Sequence, residues 1–184
     1  MRKTVCYHLG GHEMDFKFEI ANYNFSFIFL KMNNDIFARM ISKKTKYAIN
    51  ALVYLAKRNG EGPIVISEIA QKEHIPRKFL ESILLNLKKA GVLASKKGKG
   101  GGYYLLQNPE DINLADVMRL VEGPIALLPC VTYKYYERCE ECKDEETCGI
   151  RNIFYEVRNK TVELLKKANL AEIIKRESHL ITDS

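Results

Sequence analysis

The feature that most constrains this chain is a run of four glycines within five residues, from Gly98 to Gly102, with Lys99 among them. Glycine weakens helix interiors and readily adopts positive φ, so a helix cannot continue through this run. The short segments on either side, residues 92–97 and 103–106, have the composition of β-strands. The sequence therefore predicts two short strands joined by a flexible loop that carries a positive charge.

Three helical patterns precede this hairpin. In the first, from Ser42, apolar residues recur every three or four positions until Asn59-Gly60, which offers a left-handed stop. A short second helix is expected from Ser67, whose hydroxyl can cap it. The third helix is predicted to begin at Pro76 and to end at Gly91. Proline is tolerated at the first position because its missing N–H would make no hydrogen bond within the helix. Helix, short helix, turn, helix and hairpin, in that order, predict a winged helix-turn-helix.

Charge is distributed unevenly along the chain. Residues 40–105 carry 13 lysines and arginines but only 4 acidic residues. Residues 122–148 carry 3 lysines and arginines and 7 acidic residues. A strongly basic region indicates a polyanionic partner, and for this fold we expect double-stranded DNA.

Several classes of function are not indicated by the sequence. The G-x-x-x-x-G-K-[ST] phosphate loop, a Ser-His-Asp order and a paired-acid motif are all absent, so we predict that the protein is not an enzyme. The longest apolar run near the N-terminus, residues 25–30, is too short to cross a bilayer, and a secretory signal is not recognisable. We therefore expect a cytoplasmic protein without membrane association.

Four cysteines lie close together with the spacing Cys130-x8-Cys139-x2-Cys142-x5-Cys148. In a reducing compartment such a group predicts metal ligands or redox thiols rather than structural disulfides. Thiolates suit an iron-sulfur cluster or, as an alternative, zinc. Free thiols or a regulatory disulfide remain a third interpretation, which the many acidic neighbours disfavour because a reactive thiolate needs positive charge nearby.

The C-terminal region shows a coiled-coil-like repeat that predicts a dimerisation helix about 30 Å long. Its seam consists of Ile150, Phe154, Val157, Thr161, Leu164, Ala168 and Ala171. Residues 1–39 are aromatic-rich, with strand-like alternation at 16–29, and we interpret them as an extension before a protein that starts at Met40. The predicted organisation is an extension (1–39), a winged helix-turn-helix (40–106), a linking helix and cysteine-bearing sensor loop (107–147), a dimerisation helix (148–176) and a tail (177–184).

The stretch from Met40 to about Arg176 resembles the IscR/NsrR family, also called the Rrf regulators. The matching motifs are Ser42-Lys-Lys-Thr-Lys-Tyr-Ala48, Ile69-Ala70, Pro76-Arg-Lys-Phe-Leu-Glu81, Leu84 to Gly91 and Gly98-Lys-Gly-Gly-Gly-Tyr103. The resemblance implies a mainly α fold with a small β wing, a long C-terminal dimerisation helix and a homodimer that binds promoter DNA. It also implies a cysteine loop that senses an iron-sulfur cluster, nitric oxide, iron or thiol status.

Carried over by position, the resemblance implies three groups of DNA contacts. These are Pro76, Arg77, Lys78, Glu81 and Ser82 at the major groove; Lys97, Lys99, Gly100, Gly101 and Tyr103 in the wing; and Ser42, Lys43, Lys44 and Tyr47 near the backbone. Cluster-binding members usually show C-x5-C-x5-C, some with a histidine three residues after the last cysteine. Here Cys142 and Cys148 match the second half, while Tyr136 and Arg151 replace the first cysteine and the histidine.

The sequence therefore predicts a dimeric DNA-binding transcription regulator, which we expect to be a repressor, modulated by a cluster or by cysteine redox state. The alternative is a zinc- or thiol-containing regulatory protein whose basic face docks a protein partner rather than DNA.

Overall fold

A computed structural model of the chain describes residues 41–182. Its elements in chain order are α1 (Lys43–Lys57), α2 (Ile66–Lys72), α3 (Arg77–Lys89), β1 (Leu93–Lys96), β2 (Gly102–Leu105), α4 (Leu114–Val121), a 3-10 turn (Pro129–Val131), α5 (Gly149–Lys167) and α6 (Leu170–Thr182). The predicted fold class, mainly α with a small β wing, is confirmed. The predicted extension 1–39, including its strand-like alternation, lies outside the described residues.

The elements α1 to β2 form a unit that we call the winged head. Its core consists of side chains with no solvent exposure, among them Leu52 of α1, Ile69 of α2, Leu84 of α3 and Leu93 of β1. They occupy the apolar positions that recur at helical spacing in the sequence, because only those positions face inward together. Burial of each such side chain stabilises the fold by about 1.5–3 kcal/mol. The three helices and the wing are therefore held in a fixed relation by packing.

The wing is an antiparallel pair in which Leu93 lies opposite Leu105 and Lys96 opposite Gly102. Ile64 adds an isolated antiparallel bridge to Tyr103, with hydrogen bonds of 2.9 and 2.8 Å in the two directions. A Cβ atom on Gly102 would lie 2.3 Å from the carbonyl oxygen of Ile64. Glycine is thus required here so that the chain before α2 can pair with the wing.

Helix starts in the structure partly match those predicted. Ser42 caps α1 by accepting a hydrogen bond from the backbone N–H of Thr45 at 3.2 Å, and Asn113 caps α4 in the same way. The expected cap of α2 at Ser67 is wrong, because α2 already begins at Ile66 and follows Val65, which makes no side-chain cap. Pro76, predicted at the first position of the third helix, instead lies immediately before α3, which begins at Arg77.

The prediction of one continuous helix over 148–176 is wrong. The structure breaks it between α5 and α6, where the Ala168 carbonyl accepts the N–H of Leu114 at 2.9 Å and Asn169 caps the N–H of Glu172 at 2.8 Å. Leu170 is fully buried, and its N–H donates to the Ile112 carbonyl at 3.0 Å. These hydrogen bonds to Ile112 and Leu114 take the place of the backbone hydrogen bonds that a continuous helix would form at Ala168 and Leu170.

The predicted tail at 177–184 is also wrong for its described part, because residues 177–182 belong to α6. This helix packs back onto the winged head. Ile173 and Ile174 contact the core, and Lys57 of α1 forms an ion pair with Glu177 at 2.6 Å. Between residues 41 and 182, no helix is long and apolar enough to span a membrane.

Candidate nucleic-acid interface and cysteine segment

The predicted reading helix α3 presents one solvent-exposed face. Pro76, Arg77, Lys78, Glu81 and Ser82 are all exposed, while Leu80, Ile83, Leu84 and Leu87 are buried on the other side. Arg77 pairs with Glu81 at 3.2 Å along the helix. The Ser82 hydroxyl donates to the Phe79 carbonyl at 2.8 Å. Lys78 enters no ion pair within residues 41–182, so its charge is available to a phosphate or a base edge.

The predicted wing residues divide into two groups. Lys97, Lys99 and Gly100 are exposed, and Gly98 and Gly100 have positive φ values of 91° and 73°. Gly101 is buried, and a Cβ atom there would lie 2.4 Å from the Lys96 carbonyl oxygen. Tyr103 is half-buried and pairs with Ile64. The exposed lysines can therefore approach DNA, whereas Gly101 and Tyr103 shape the loop that carries them.

The start of α1 lies beside α3 and α4. Tyr47 packs edge-on against Phe79 of α3, with ring centroids 5.7 Å apart. Lys43 is exposed and Lys44 half-buried at the same end. Phe79, which is 41% exposed on the reading helix, was not among the predicted contacts because its spacing continues the apolar stripe.

Glu122, at the end of α4, holds the start of α1. Its carboxylate accepts hydrogen bonds from the Ser42 N–H and from the Thr45 hydroxyl, both at 2.7 Å. Hydrogen bonding from Ser42, followed by that from Thr45, keeps the pKa of Glu122 below its ordinary value. Sequence reasoning missed this residue, since nothing local signals a contact made 77 and 80 positions away.

The cysteine segment, residues 130–148, contains four free thiols, and the Cys139 thiol lies near that of Cys130. Cys130 is buried in the 3-10 turn, and the Cys139 thiol interacts with those of Cys130 and Cys148. Partial desolvation, then the proximity of Cys130, Glu141 and Cys148, raises the pKa of Cys139. Cys142 is not in this interaction. The family spacing is matched by Cys142 and Cys148, whereas the thiol that acts most strongly on Cys139 is that of Cys130.

Cys148 lies at the N-terminus of α5, where its sulfur accepts the N–H of Arg151 at 3.4 Å. The partial positive charge of a helix N-terminus favours an anionic ligand there. Arg151 also donates from Nε to the Cys130 carbonyl at 3.3 Å, which fixes the 3-10 turn against α5. The residue that stands in place of the family's histidine thus braces the two cysteines.

The rest of the segment is held by a few polar contacts. Tyr136, at the position of the missing first cysteine, donates its hydroxyl to Glu145, and this contact raises its pKa. Arg138 donates to the carbonyls of Cys142 and Lys143 at 3.0 and 3.3 Å. Most side chains of this segment are exposed.

The donor set fits a thiolate-ligated centre in its chemistry. The Cys139 thiol lies near that of Cys130, and Cys148 stands at the N-terminus of α5. Within residues 41–182, no three His, Cys, Asp or Glu side chains are already spaced to hold a single metal ion. Binding would therefore require the exposed part of the segment to close around the sulfurs.

Apolar side chains are exposed along α5. Ile150 is 65% exposed, Ile153 62%, Val157 42% and Leu164 67%, whereas Phe154 and Thr161 of the predicted seam are half-buried. Ile153 was missed because the repeat was placed on Phe154, although the step of three from Ile150 fits a helix equally well. An apolar stripe of this kind marks an interaction surface.

A helix-turn-helix with a cationic reading helix and a lysine-bearing glycine wing defines the class of winged-helix transcription regulators. Residues 41–176 match the Rrf2 family, described as iron-dependent transcriptional regulators. The chain therefore belongs to the Rrf2 family, which confirms the resemblance inferred from the sequence.

Individual relatives agree with this assignment. An rrf2-like HTH-type transcriptional regulator of Rhodobacter capsulatus is 46% identical over 121 residues, or 64% of this chain and 81% of the relative. Bacillus subtilis CymR is 32% identical over 133 residues, or 72% of this chain and 88% of CymR.

Two solved structures are similar in fold. CymR, described as the global cysteine regulator of B. subtilis, superposes with a TM-score of 0.62 at 29% identity, over 74% of this chain and 96% of that one. IscR of T. potens superposes with a TM-score of 0.60 at 28% identity, over 74% and 87% of the two chains. The family and these relatives are transcription regulators, not enzymes, as predicted.

Proposed function

We propose that the protein binds promoter DNA as a homodimer, represses transcription there, and changes its DNA affinity with the state of a cysteine-ligated iron-sulfur cluster. The observation that carries the DNA-binding part is the exposed cationic face of α3 and the wing, with Lys78, Lys97 and Lys99 free of ion pairs within residues 41–182. Repression follows most simply, since a dimer seated on a promoter occupies the surface that polymerase needs.

In this proposal α3 lies in the major groove and the wing approaches the adjacent backbone. The packing of Leu80 and Leu84 fixes α3, while Gly98 and Gly100 let the wing backbone come close to phosphates. The charged face supplies a salt-dependent affinity, and Arg77 and Glu81 are candidates for contacts with base edges.

DNA binding is tested by fluorescence anisotropy on a palindromic promoter fragment at several salt concentrations. Lys78→Ala should weaken binding at all sequences and reduce the salt slope by about one. Lys166→Ala, an exposed lysine in the last turn of α5, is the control and should leave both unchanged. A parent protein that ignores duplex DNA in dilute buffer would refute the proposal and favour a protein-docking role for the basic face.

The homodimer is supported by the exposed stripe of Ile150, Ile153, Val157 and Leu164 on α5. Ile153→Glu should convert dimers into folded monomers in sedimentation velocity, because a charge cannot be buried in an apolar interface without a partner. Leu106→Glu, on the winged head with 57% exposure, is the matched control and should stay dimeric. A monomeric parent would contradict this part of the proposal.

The cluster would be held by Cys130, Cys139 and Cys148, with Cys142 as a further candidate. When bound, an iron-sulfur cluster supplies a centre that responds to iron, nitric oxide and redox state. The chain's own residues link that site to α5, because Arg151 joins Cys148 to the Cys130 carbonyl. A rearrangement here would shift α5, and thus the spacing of two reading helices that must match half-sites about 34 Å apart.

The cofactor is tested by anaerobic purification with an absorption spectrum and an iron, sulfide and zinc assay. Cys139→Ala and Cys148→Ala should lose most of the iron and sulfide, and Cys142→Ala should lose less. Zinc without sulfide, or equal iron content in all variants, would overturn the cluster assignment. The proposal that the parent protein binds DNA does not depend on the cluster and would be unaffected by that result.

A further inference from the structure

Arg158 of α5 is a buried charge without an acidic partner. Its side chain is only 8% exposed, and no carboxylate within residues 41–182 lies at salt-bridge distance. Its guanidinium lies 3.7 Å from the centre of the Tyr133 ring and 5.7 Å from that of Tyr155, and it donates to the Asn159 side chain at 2.9 Å. Ring faces and one amide offset the burial of a full charge only in part.

A cavity of about 90 Å³ adjoins this arginine. It is lined by Arg119, Pro124, Ile125, Thr132, Lys134 and Arg158, together with Tyr133. Three of these side chains are cationic and none is acidic. Asp116 pairs with Arg119 at 3.1 Å, and the Lys134 ammonium lies 5.9 Å from the centre of the Tyr135 ring. The lining of the cavity therefore carries more positive than negative charge.

The tyrosines at its edge agree with this electrostatic environment. The hydroxyls of Tyr133 and Tyr155 are 2.8 Å apart. The hydrogen bond with Tyr155, followed by the adjacent Arg158 guanidinium, lowers the pKa of Tyr133. The groups around the cavity thus stabilise negative charge at the Tyr133 oxygen.

We propose that this cavity binds a small oxyanion, either a carboxylate or a tetrahedral ion such as sulfate or phosphate. Guanidinium groups match the planar or tetrahedral arrangement of such oxygens, and Lys134 adds a point charge. The volume corresponds to about three waters, which admits an anionic group of a few heavy atoms and excludes a nucleotide. The apolar wall of Pro124 and Ile125 leaves room for a short aliphatic substituent.

The cavity joins three parts of the molecule: α4 through Arg119, the start of the cysteine segment through Thr132 to Lys134, and α5 through Arg158. An anion bound here would hold α5 against α4, next to the turn that carries Cys130. An effect on DNA affinity rests on the proposed function, whereas anion binding itself does not.

The test is isothermal titration calorimetry of the full chain with sodium sulfate and, separately, sodium acetate, in chloride buffer of matched ionic strength. The parent should bind one anion per chain saturably. Tighter binding of sulfate would show a preference for a tetrahedral anion, and tighter binding of acetate a preference for a carboxylate. Lys134→Ala and Arg119→Gln should weaken binding by at least about tenfold, because each removes a charge-assisted contact. Arg176→Gln, an exposed arginine of α6, should bind as the parent does.

Absence of saturable heat in the parent, or an equal loss in Arg176→Gln and Arg119→Gln, would overturn the proposal. Arg158→Gln is assayed by circular dichroism first and by sedimentation second. Loss of the dimer in that variant, without a change in anion affinity, would also overturn it and would assign Arg158 to a carboxylate of a second copy. Promoter binding by the parent in chloride alone, measured separately, tests the proposed function and not the anion site.

Discussion

The winged head and the cysteine segment differ in what fixes their shape. In the head, fully buried side chains such as Leu52, Leu84 and Leu93 interlock α1, α3 and the wing. In the segment, Cys130 and Val131 are buried, but most of the remaining side chains are exposed and the backbone depends on polar contacts from Arg138 and Tyr136. The exposed face of α3 is therefore held in place by packing, whereas the cysteine segment depends on fewer buried contacts.

The largest expected effect comes from a core substitution in the head. Leu84→Ala should lower the free energy of unfolding by about 3 kcal/mol and Tm by roughly 10 °C, because it leaves a cavity at a fully buried position of the core. Tyr135→Ala in the cysteine segment, where the side chain is 58% exposed, should change stability by less than about 0.5 kcal/mol. Equal losses in thermal denaturation would show that the two regions do not differ as described.

A smaller effect is expected where the wing meets the chain before α2. Gly102→Ala would place a Cβ atom 2.3 Å from the Ile64 carbonyl oxygen and should cost about 2 kcal/mol through forced separation of the two segments. Promoter affinity should fall with it. Gly149→Ala is the control, because a Cβ atom there meets nothing within 4 Å and alanine favours the helix. Equal stability of the two variants in urea would contradict the close approach.

The contact that holds α4 to the winged head can be tested by pH. Because the folded-state pKa of Glu122 is lowered from 4.5, its contribution is fully present above that value and is lost as the pH falls through the lowered pKa. Glu122→Gln should lose about 1 kcal/mol at neutral pH, a figure that allows for solvent screening, and less in acid. Urea unfolding of parent and variant across this range checks it, with a pH-independent difference as the contrary result.

The smallest effect on global stability is expected inside the segment. Arg138→Gln removes the contacts with the Cys142 and Lys143 carbonyls and should leave Tm within about 1 °C, since few buried groups depend on them. Hydrogen exchange at residues 139–145 should nevertheless accelerate. Lys160→Gln, which removes an exposed pair with Glu163, should not alter exchange there. Unchanged exchange in Arg138→Gln would show that other contacts order the loop.

The sequence predicted the head well because its signals are local. Helical spacing of leucines, the Ser42 cap and the glycine run each specify structure within a few residues of themselves, and the structure contains all three. The contacts of Glu122 with Ser42 and Thr45, and that of Arg151 with the Cys130 carbonyl, join residues far apart in the chain. The break after α5 was partly predictable from the sequence. Asn169 and Glu172 have the spacing of a helix cap, but the seam of apolar residues continues past Asn169 and favours an unbroken helix.

The joint at Asn169 also determines how motion can pass through the molecule. Since α6 lies against α1 and Leu170 is clamped by the segment before α4, the far end of α5 cannot swing freely from the head. Within residues 41–182, its near end contacts the 3-10 turn and α4. We therefore expect a displacement beside Cys148 to rotate α5 about the joint at Asn169 rather than to translate the helix.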